Sequence, residues 1–225
     1  MKDLKNIYQE TIALTGPSGS GKSTLARIIQ GMGIEVISAD SIAKEILEPG
    51  SVGYNQVVKN FGNSILDVAV IHEESISSEI SNIYSSPINR KKLRDIVFND
   101  PVKRKLLEDT THPFIRDKAR DYLSLSYEKT GNPPWYDVPL FYETGMEALG
   151  FKKVVYITSS RQILLERISK RDEISISEAE LRLNAQLQDS EKRKRADFII
   201  ENNGSIQDLE VKARILLSII NEQSL

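Results

Sequence analysis

Residues 16–23 read Gly-Pro-Ser-Gly-Ser-Gly-Lys-Ser and fit the pattern G-x-x-x-x-G-K-[ST]. The apolar run Thr11–Thr15 before them predicts a buried strand, and residues 22–30 after them predict a helix that Gly31 and Gly33 end. A second apolar run, Ile34–Ile37, predicts another strand. A strand, a tight turn, a helix and a strand within about thirty residues indicate a βαβ unit, and therefore an α/β fold with a central parallel sheet flanked by helices.

This loop has the chemistry of a nucleotide-phosphate site. Glycines let successive backbone N–H groups turn toward a phosphate, and the following helix adds its positive N-terminal end. Lys22 then reaches the β- and γ-phosphates, while the Ser23 hydroxyl is the predicted Mg²⁺ ligand. A chance match in a glycine-rich turn is the alternative, which the flanking strand and helix disfavour. The predicted ATP-binding residues of the loop are Gly16, Ser18, Gly19, Ser20, Gly21, Lys22, Ser23 and Thr24.

Composition excludes several other kinds of protein. The 225 residues carry 30 Lys and Arg against 32 Asp and Glu, a net charge of −2, which argues against a dedicated nucleic-acid binder. With no cysteine and two histidines, disulfides, thiolate chemistry and multi-histidine metal sites are excluded. No apolar run is long enough to span a bilayer, and no secretory signal opens the chain, so the sequence predicts a cytoplasmic protein with no membrane partner. It predicts no oligomeric state.

The rest of the chain alternates helices and strands. Three helices are predicted over residues 87–98, 101–110 and 113–129, each beginning near a proline. Further strands are predicted at 135–138, 153–158 and 197–200. Capping-box spacing at Ser159–Gln162 and Ser177–Glu180 predicts the starts of two more helices, the second carrying Arg182 and Gln186. An apolar 3.6-residue period predicts a C-terminal helix. The polar stretch Asp67–Ser86 is interpreted as an insertion.

Three further side chains are candidates for catalysis. Asp40 follows the second strand, where ligands bind in open α/β sheets, and its carboxylate can accept a proton from an acceptor hydroxyl. The alternative is a helix N-cap for residues 41–47. Arg167 and Arg171 lie four residues apart on one helix face. They either belong to a lid that closes over the transferring phosphoryl group and excludes water, or to a solvated surface.

Several segments, in order along the chain, resemble the dephospho-CoA kinase family. They are the phosphate loop, Ala39-Asp40, Arg90-x-x-Leu93-x-x-x-Val97-Phe98, His112-Pro113, the segment Asp137–Glu143, Arg167 with Arg171, Arg182 with Gln186, and Ala196–Ile200 with Asn202. The chain departs from that family at Ser38, where the family has Asp, and at Lys44, where the family commonly has Arg.

The resemblance implies a P-loop kinase fold with a nucleotide-binding core at 1–42, 130–160 and 196–225, a helical acceptor domain at 43–129 and a lid at 161–195. It implies transfer of the ATP γ-phosphoryl group to the ribose 3′-hydroxyl of dephospho-CoA. Asp40 would be the base, and Lys22 and Arg167 would stabilise the phosphoryl charge. Arg90, His112 and Lys44 would bind the acceptor, and Asn202 would lie near adenine.

Two other functions stay open at this point. One is a kinase for another small acceptor, such as a nucleoside monophosphate or a sugar acid. The other is a nucleotide-binding regulator without turnover. The matches around Arg90 and His112 favour dephospho-CoA, and the presence of Asp40 and Arg167 favours an enzyme.

Overall fold

The computed structural model describes residues 6–67 and 86–222. Five parallel strands form one sheet in the order β2-β3-β1-β4-β5, which confirms the predicted α/β fold. The strands are β1 (Ile12–Thr15), β2 (Val36–Ser38), β3 (Trp135–Asp137), β4 (Lys153–Thr158) and β5 (Phe198–Glu201). β4 matches its predicted bounds, β1 and β3 differ by one residue at one end, and β2 and β5 differ by one or two residues at both ends.

Nine α-helices lie in the two described ranges. They are α1 (Lys22–Gly31), α2 (Ala39–Glu45), α3 (Val52–Phe61), α4 (Arg90–Asn99), α5 (Pro101–Thr130), α6 (Arg161–Asp172), α7 (Ile176–Asn184), α8 (Asp189–Arg195) and α9 (Ile206–Glu222). Short 3₁₀ turns occur at Ile7–Gln9, Asn63–Ile65 and Met146–Leu149. None of the described helices is long and apolar enough to cross a membrane.

The core around β1 explains why the sheet is stable. All four residues of β1 are buried, as expected for a central parallel strand covered on both faces. Leu25 and Ile29 of α1 pack into the same apolar cluster as Leu209 and Ala213 of α9. Each fully buried Leu or Ile contributes about 1.5–3 kcal/mol of burial free energy. This packing fixes the start of α1, and with it the loop that precedes α1.

The described chain forms two compact units. One contains the residues up to Ala39 and those from Arg120 onward, and includes the whole sheet. The other spans Asp40–Ala119 and has its own apolar core, around Tyr54, Val57 and Ile65.

The predicted insertion belongs to the second unit. Leu66 and Ile88, which flank it, form an antiparallel bridge. Residues 68–85 lie outside the described residues, and the insertion there stays a prediction.

Three local predictions were wrong. Pro113 does not begin a helix but lies inside the continuous α5, whose other backbone hydrogen bonds suffice to carry it past a residue without N–H. The Ser159 hydroxyl does not cap α6: the N-cap residue is Ser160, which makes no side-chain capping bond, and Ser159 donates to the carbonyl oxygen of Asn202 instead. The capping box of α7 is Ser175 with Glu178 rather than the pair two residues later, and α7 ends before Gln186.

Candidate active site

The carboxyl ends of the parallel strands bring the candidate residues of the first unit together. Strand pairing sets Leu14 of β1 beside Asp137 of β3, and Thr158 of β4 beside Glu201 of β5. The residues that follow the strands therefore share one edge of the sheet, where ligands bind in open α/β folds. The phosphate loop follows β1, Ser159 follows β4, and Asn202 follows β5.

The phosphate loop has the backbone that its glycines predict. Gly19 and Gly21 adopt φ values of 80° and 91°, in the left-handed region where a Cβ is disfavoured. A side chain at Gly21 would also collide with the Asn202 amide, and one at Gly16 with the carbonyl oxygen of Ile157. The glycines thus serve two purposes, because they shape the loop and let β4 and Asn202 approach it closely.

Lys22, the first residue of α1, forms an ion pair with Asp137 at the end of β3. Both side chains are largely buried, with exposed fractions of 13% and 10%. A carboxylate so close to the ammonium fixes where Lys22 points. Sequence reasoning assigned Asp137 no role, although the residue opens one of the family-like segments. Its position at a strand end was the available signal.

Two arginines of α6 reach the phosphate loop. The Arg167 guanidinium donates to the Gly19 carbonyl oxygen at 3.4 Å and to the Ser159 hydroxyl at 3.0 Å. The Arg171 guanidinium donates to the Ser18 hydroxyl at 3.0 Å. Arg167 therefore does not point only into solvent, whereas Arg171 stays 59% exposed and also pairs with Asp172. For Arg171, the choice between a lid and a solvated surface stays a prediction.

Asn202 lies against the same loop. Its side-chain amide donates to the Ser20 carbonyl oxygen at 2.8 Å, and its backbone N–H donates to Thr158 at 2.7 Å. A cavity of about 220 Å³ opens between Thr24, Arg167, Asn202 and the start of α9. The loop, an arginine and an amide therefore line one concave space.

The basic run that ends α8 contains a buried residue. Lys192 is 3% exposed and its ammonium lies 2.6 Å from the Glu143 carboxylate. Burial raises the pKa of Glu143, but hydrogen bonds from Lys192 and the Leu187 backbone outweigh it and lower the pKa overall. Sequence reasoning treated most of this run as solvated, because a single chain does not show which of four consecutive basic residues turns inward.

The acceptor candidates belong to the second unit. Asp40 is the second residue of α2, in its first turn, so the alternative role as the N-cap of that helix is wrong. Lys44 lies in the last turn of α2 and Arg90 begins α4, and both are exposed. His112 lies within α5 and is half-buried.

The sheet is parallel, a phosphate loop joins its first strand to the first helix, and basic side chains surround that loop. These features define a P-loop nucleotide-binding protein. Comparison with known proteins narrows this class. The family model for dephospho-CoA kinase matches residues 10–208. The chain belongs to the dephospho-CoA kinase family.

Individual relatives agree with that membership. A dephospho-CoA kinase of Bacillus licheniformis is 37% identical over 92% of this chain and 94% of its own length. The solved structure of dephospho-CoA kinase from Campylobacter jejuni is 31% identical, covers 96% of this chain and 99% of that one, and has a TM-score of 0.66. A structure of TT1252 from Thermus thermophilus is 29% identical, covers 94% of this chain and 96% of that one, and has a TM-score of 0.70.

Proposed function

We propose that this protein is a kinase that transfers the γ-phosphoryl group of ATP to the ribose 3′-hydroxyl of dephospho-CoA and so forms coenzyme A. The observation that carries the proposal is family membership across residues 10–208, together with the phosphate loop and the basic side chains at one edge of the sheet. Phosphoryl transfer needs in-line positioning, charge neutralisation and exclusion of water, and each can be assigned to residues of this chain.

The first unit would hold the nucleotide. The backbone N–H groups of Gly16–Thr24 would bind the phosphates, and Lys22 would leave Asp137 to contact the β- and γ-phosphates. Arg167 and Arg171 already contact the loop, so short movements of their guanidinium groups would bring them to phosphate oxygens. Asn202 would contribute to the adenosine end of the site. The segment 161–195 would be the lid, and the cytoplasmic location predicted from the sequence is part of the same proposal.

Mg²⁺ would enter with the nucleotide. Ser23 is exposed in the first turn of α1, directly after Lys22, and its hydroxyl fits an octahedral oxygen-ligand set. Residues 6–67 and 86–222 contain no group of three or more His, Asp or Glu that could hold a metal by itself. The donor set therefore suits an ion whose other ligands are phosphates and water. The ion would neutralise negative charge on the phosphates of the nucleotide.

The second unit would supply the acceptor side. Asp40 would accept the proton of the ribose 3′-hydroxyl, and its place two residues after β2 supports this role. Exposed Lys44 and Arg90 would contact the negatively charged diphosphate of dephospho-CoA, and His112 would complete the acceptor site.

The direct test is to incubate the purified protein with Mg-ATP and dephospho-CoA and to detect coenzyme A by mass spectrometry. Nucleoside monophosphates and gluconate serve as parallel acceptors. We expect coenzyme A as the main product. Phosphorylation of another acceptor alone would assign a different kinase activity, and ATP binding with no product from any acceptor would indicate a regulator.

Asp40→Asn tests the proposed base. Removing a positioned base lowers turnover by about 10²–10⁴-fold while leaving the affinity for ATP nearly unchanged. Steady-state kinetics and titration with a non-hydrolysable ATP analogue measure the two quantities. Lys44→Ala is the control on the same helix, where we expect a change mainly in the KM for dephospho-CoA. Wild-type turnover in Asp40→Asn would remove the catalytic assignment.

A further inference from the structure

A cluster of one carboxylate and two guanidinium groups lies beside the phosphate loop. The Asp172 carboxylate, at the end of α6, accepts from the Nε and Nη2 atoms of Arg171 at 2.7 and 2.9 Å. It also accepts from Nη1 of Arg182, on α7, at 2.7 Å. Three charge-assisted hydrogen bonds therefore converge on one carboxylate that is 21% exposed.

The cluster is joined directly to the phosphate loop. The Nη2 atom of Arg171 that donates to Asp172 also donates to the Ser18 hydroxyl at 3.0 Å. One turn earlier on α6, Arg167 contacts the neighbouring loop residue Gly19. The Arg171 guanidinium is thus held at the rim of the loop with its planar fork on an aspartate, and Arg182 joins the cluster through a single bond to the same carboxylate.

Carboxylate and phosphate oxygens compete for the same geometry. An arginine fork binds either group through two parallel N–H···O bonds, so phosphate oxygens can take over the bonds that Asp172 now accepts. The Arg171 and Arg182 side chains are 59% and 55% exposed, and ion pairs of such exposure contribute little to stability. Exchange of partners is therefore inexpensive, whereas an aspartate that kept both arginines would repel an arriving triphosphate.

We infer that Asp172 is an internal counter-ion, a positioning residue that holds Arg171 and Arg182 beside the phosphate loop until phosphates of the bound nucleotide replace it. This inference rests on the proposed function, because it takes the ligand of the loop to be a nucleoside triphosphate. It assigns Arg182 to the nucleotide site. It also explains why the negative side chain of Asp172 lies next to a site for a nucleoside triphosphate, whose negative charge is larger. The bound state would leave Asp172 in solvent.

If the Asp172 carboxylate competes with the nucleotide for the two arginines, removing its charge should strengthen nucleotide binding. Asp172→Asn keeps the side-chain size but removes the competing charge, so the two arginines become available at no cost. Titration calorimetry with a non-hydrolysable ATP analogue and Mg²⁺ should give a Kd lower than wild type by about two- to fivefold, the fold-change that one partly exposed ion pair corresponds to. The gain should shrink as salt rises.

Two comparisons make the result specific. Glu180→Gln removes the same charge from the same helix pair, but its partner Arg161 has no role in the proposed site, so the Kd should not change. In an Arg171→Gln/Arg182→Gln background, Asp172→Asn should no longer tighten binding. A purely structural role for Asp172 predicts the opposite sign, because loss of its hydrogen bonds would loosen α6 and α7 and weaken binding.

Circular dichroism checks that the Asp172→Asn protein is folded. If the folded variant binds the analogue as well as wild type or more weakly, the inference is overturned. Coenzyme A formation by the wild-type protein is scored separately, so the proposed function can stand when this inference fails. A wild-type protein that binds no analogue would overturn both.

Discussion

At the scale of single residues, the site depends on partners that are far apart in the chain. Lys22 and Asp137 are separated by 115 positions, and only the pairing of β1 with β3 brings the carboxylate to the phosphate loop. The motif predicts the lysine because phosphate chemistry requires it at that spacing. It does not predict the aspartate, since nothing local to residue 137 shows which strand lies next to it.

The Lys22–Asp137 pair gives a prediction that separates stability from activity. Lys22→Met leaves a largely buried carboxylate without its lysine, and we expect a loss of about 1–3 kcal/mol in the free energy of unfolding. Lys22→Met/Asp137→Asn should recover most of that loss, because the remaining buried group is neutral. Both proteins should be at least about 100-fold less active than wild type, since the phosphates lack their cation.

Urea unfolding and coenzyme A formation measure the two quantities. A double variant less stable than Lys22→Met would show that the two charges do not stabilise each other. Near-normal turnover in either variant would contradict the role of Lys22 in phosphate binding.

At the scale of secondary-structure elements, local rules predicted the five strands and most of the helices, but not α3 or α8, and they placed several helix ends wrongly. Ser175 and Ser177 both precede a glutamate by three positions, and burial of Ala179 agrees with the earlier start. Pro113 has the sequence signature of a helix start, yet it is accommodated within α5. Such choices depend on packing between distant segments, which the local pattern does not contain.

Helix α8 shows how packing assigns different roles to neighbouring charges. Lys192 is buried against Glu143, which also accepts from the backbone N–H of Leu187 at 2.9 Å. Asp189 accepts from Tyr156 and Thr158 of β4, and its pKa is lowered because bonds from Arg193, Tyr156 and Thr158 outweigh the effect of burial. This end of the proposed lid is thus attached to the sheet.

The buried ion pair between Glu143 and Lys192, here called the Glu143 anchor, predicts that the stability lost in a Glu143 variant depends on pH. The pKa of Glu143 is held below its ordinary 4.5, so its contribution is present above that pH and is lost as pH falls through the lowered value. At pH 7, Glu143→Gln should lower the free energy of unfolding by about 1–3 kcal/mol, because Lys192 stays buried without a counter-charge. The difference from wild type should shrink in acid, where Glu143 of the wild-type protein is protonated and the side chain at position 143 is neutral in both proteins.

Glu147→Gln is the matched control, since Glu147 pairs with Arg195 in the same turn of α8 as Lys192, but both of these side chains are more than a third exposed. We expect a cost below about 1 kcal/mol for it. Urea unfolding at several pH values measures both variants. An equal cost for the two variants at pH 7, or a Glu143→Gln cost that does not depend on pH, would contradict the anchor.

At the scale of the whole molecule, the sequence predicted the parallel sheet and the place of the phosphate loop because both follow from short, strongly patterned segments. The division into two units depends on which helices share a core, and that is a long-range property. Tyr54, Val57 and Leu93 form a core apart from the one around β1. Nucleotide and acceptor roles were assigned to different parts of the chain, and that assignment makes a prediction about where each ligand acts.

Hydrogen exchange followed by mass spectrometry tests that assignment directly. A saturating non-hydrolysable ATP analogue should slow exchange in residues 16–24 and 202–206, by up to about 100-fold where opening requires release of a ligand present at 100 times its Kd. Dephospho-CoA is itself an adenine nucleotide, so it is added after the analogue has filled the first site. It should then slow exchange in the second unit, in peptides that contain Arg90 or His112.

Two variants test separately whether the nucleotide acts at the first unit and the acceptor at the second. Lys22→Met should lose protection by the analogue and keep it for dephospho-CoA, whereas Arg90→Ala should do the reverse, because each change removes a cation from one phosphate-bearing ligand only. Protection by dephospho-CoA confined to the first unit, with the analogue already bound, would show that Asp40–Ala119 is not the acceptor side. The acceptor roles of Arg90, His112 and Lys44 would then fall together, while nucleotide binding at the phosphate loop would stand.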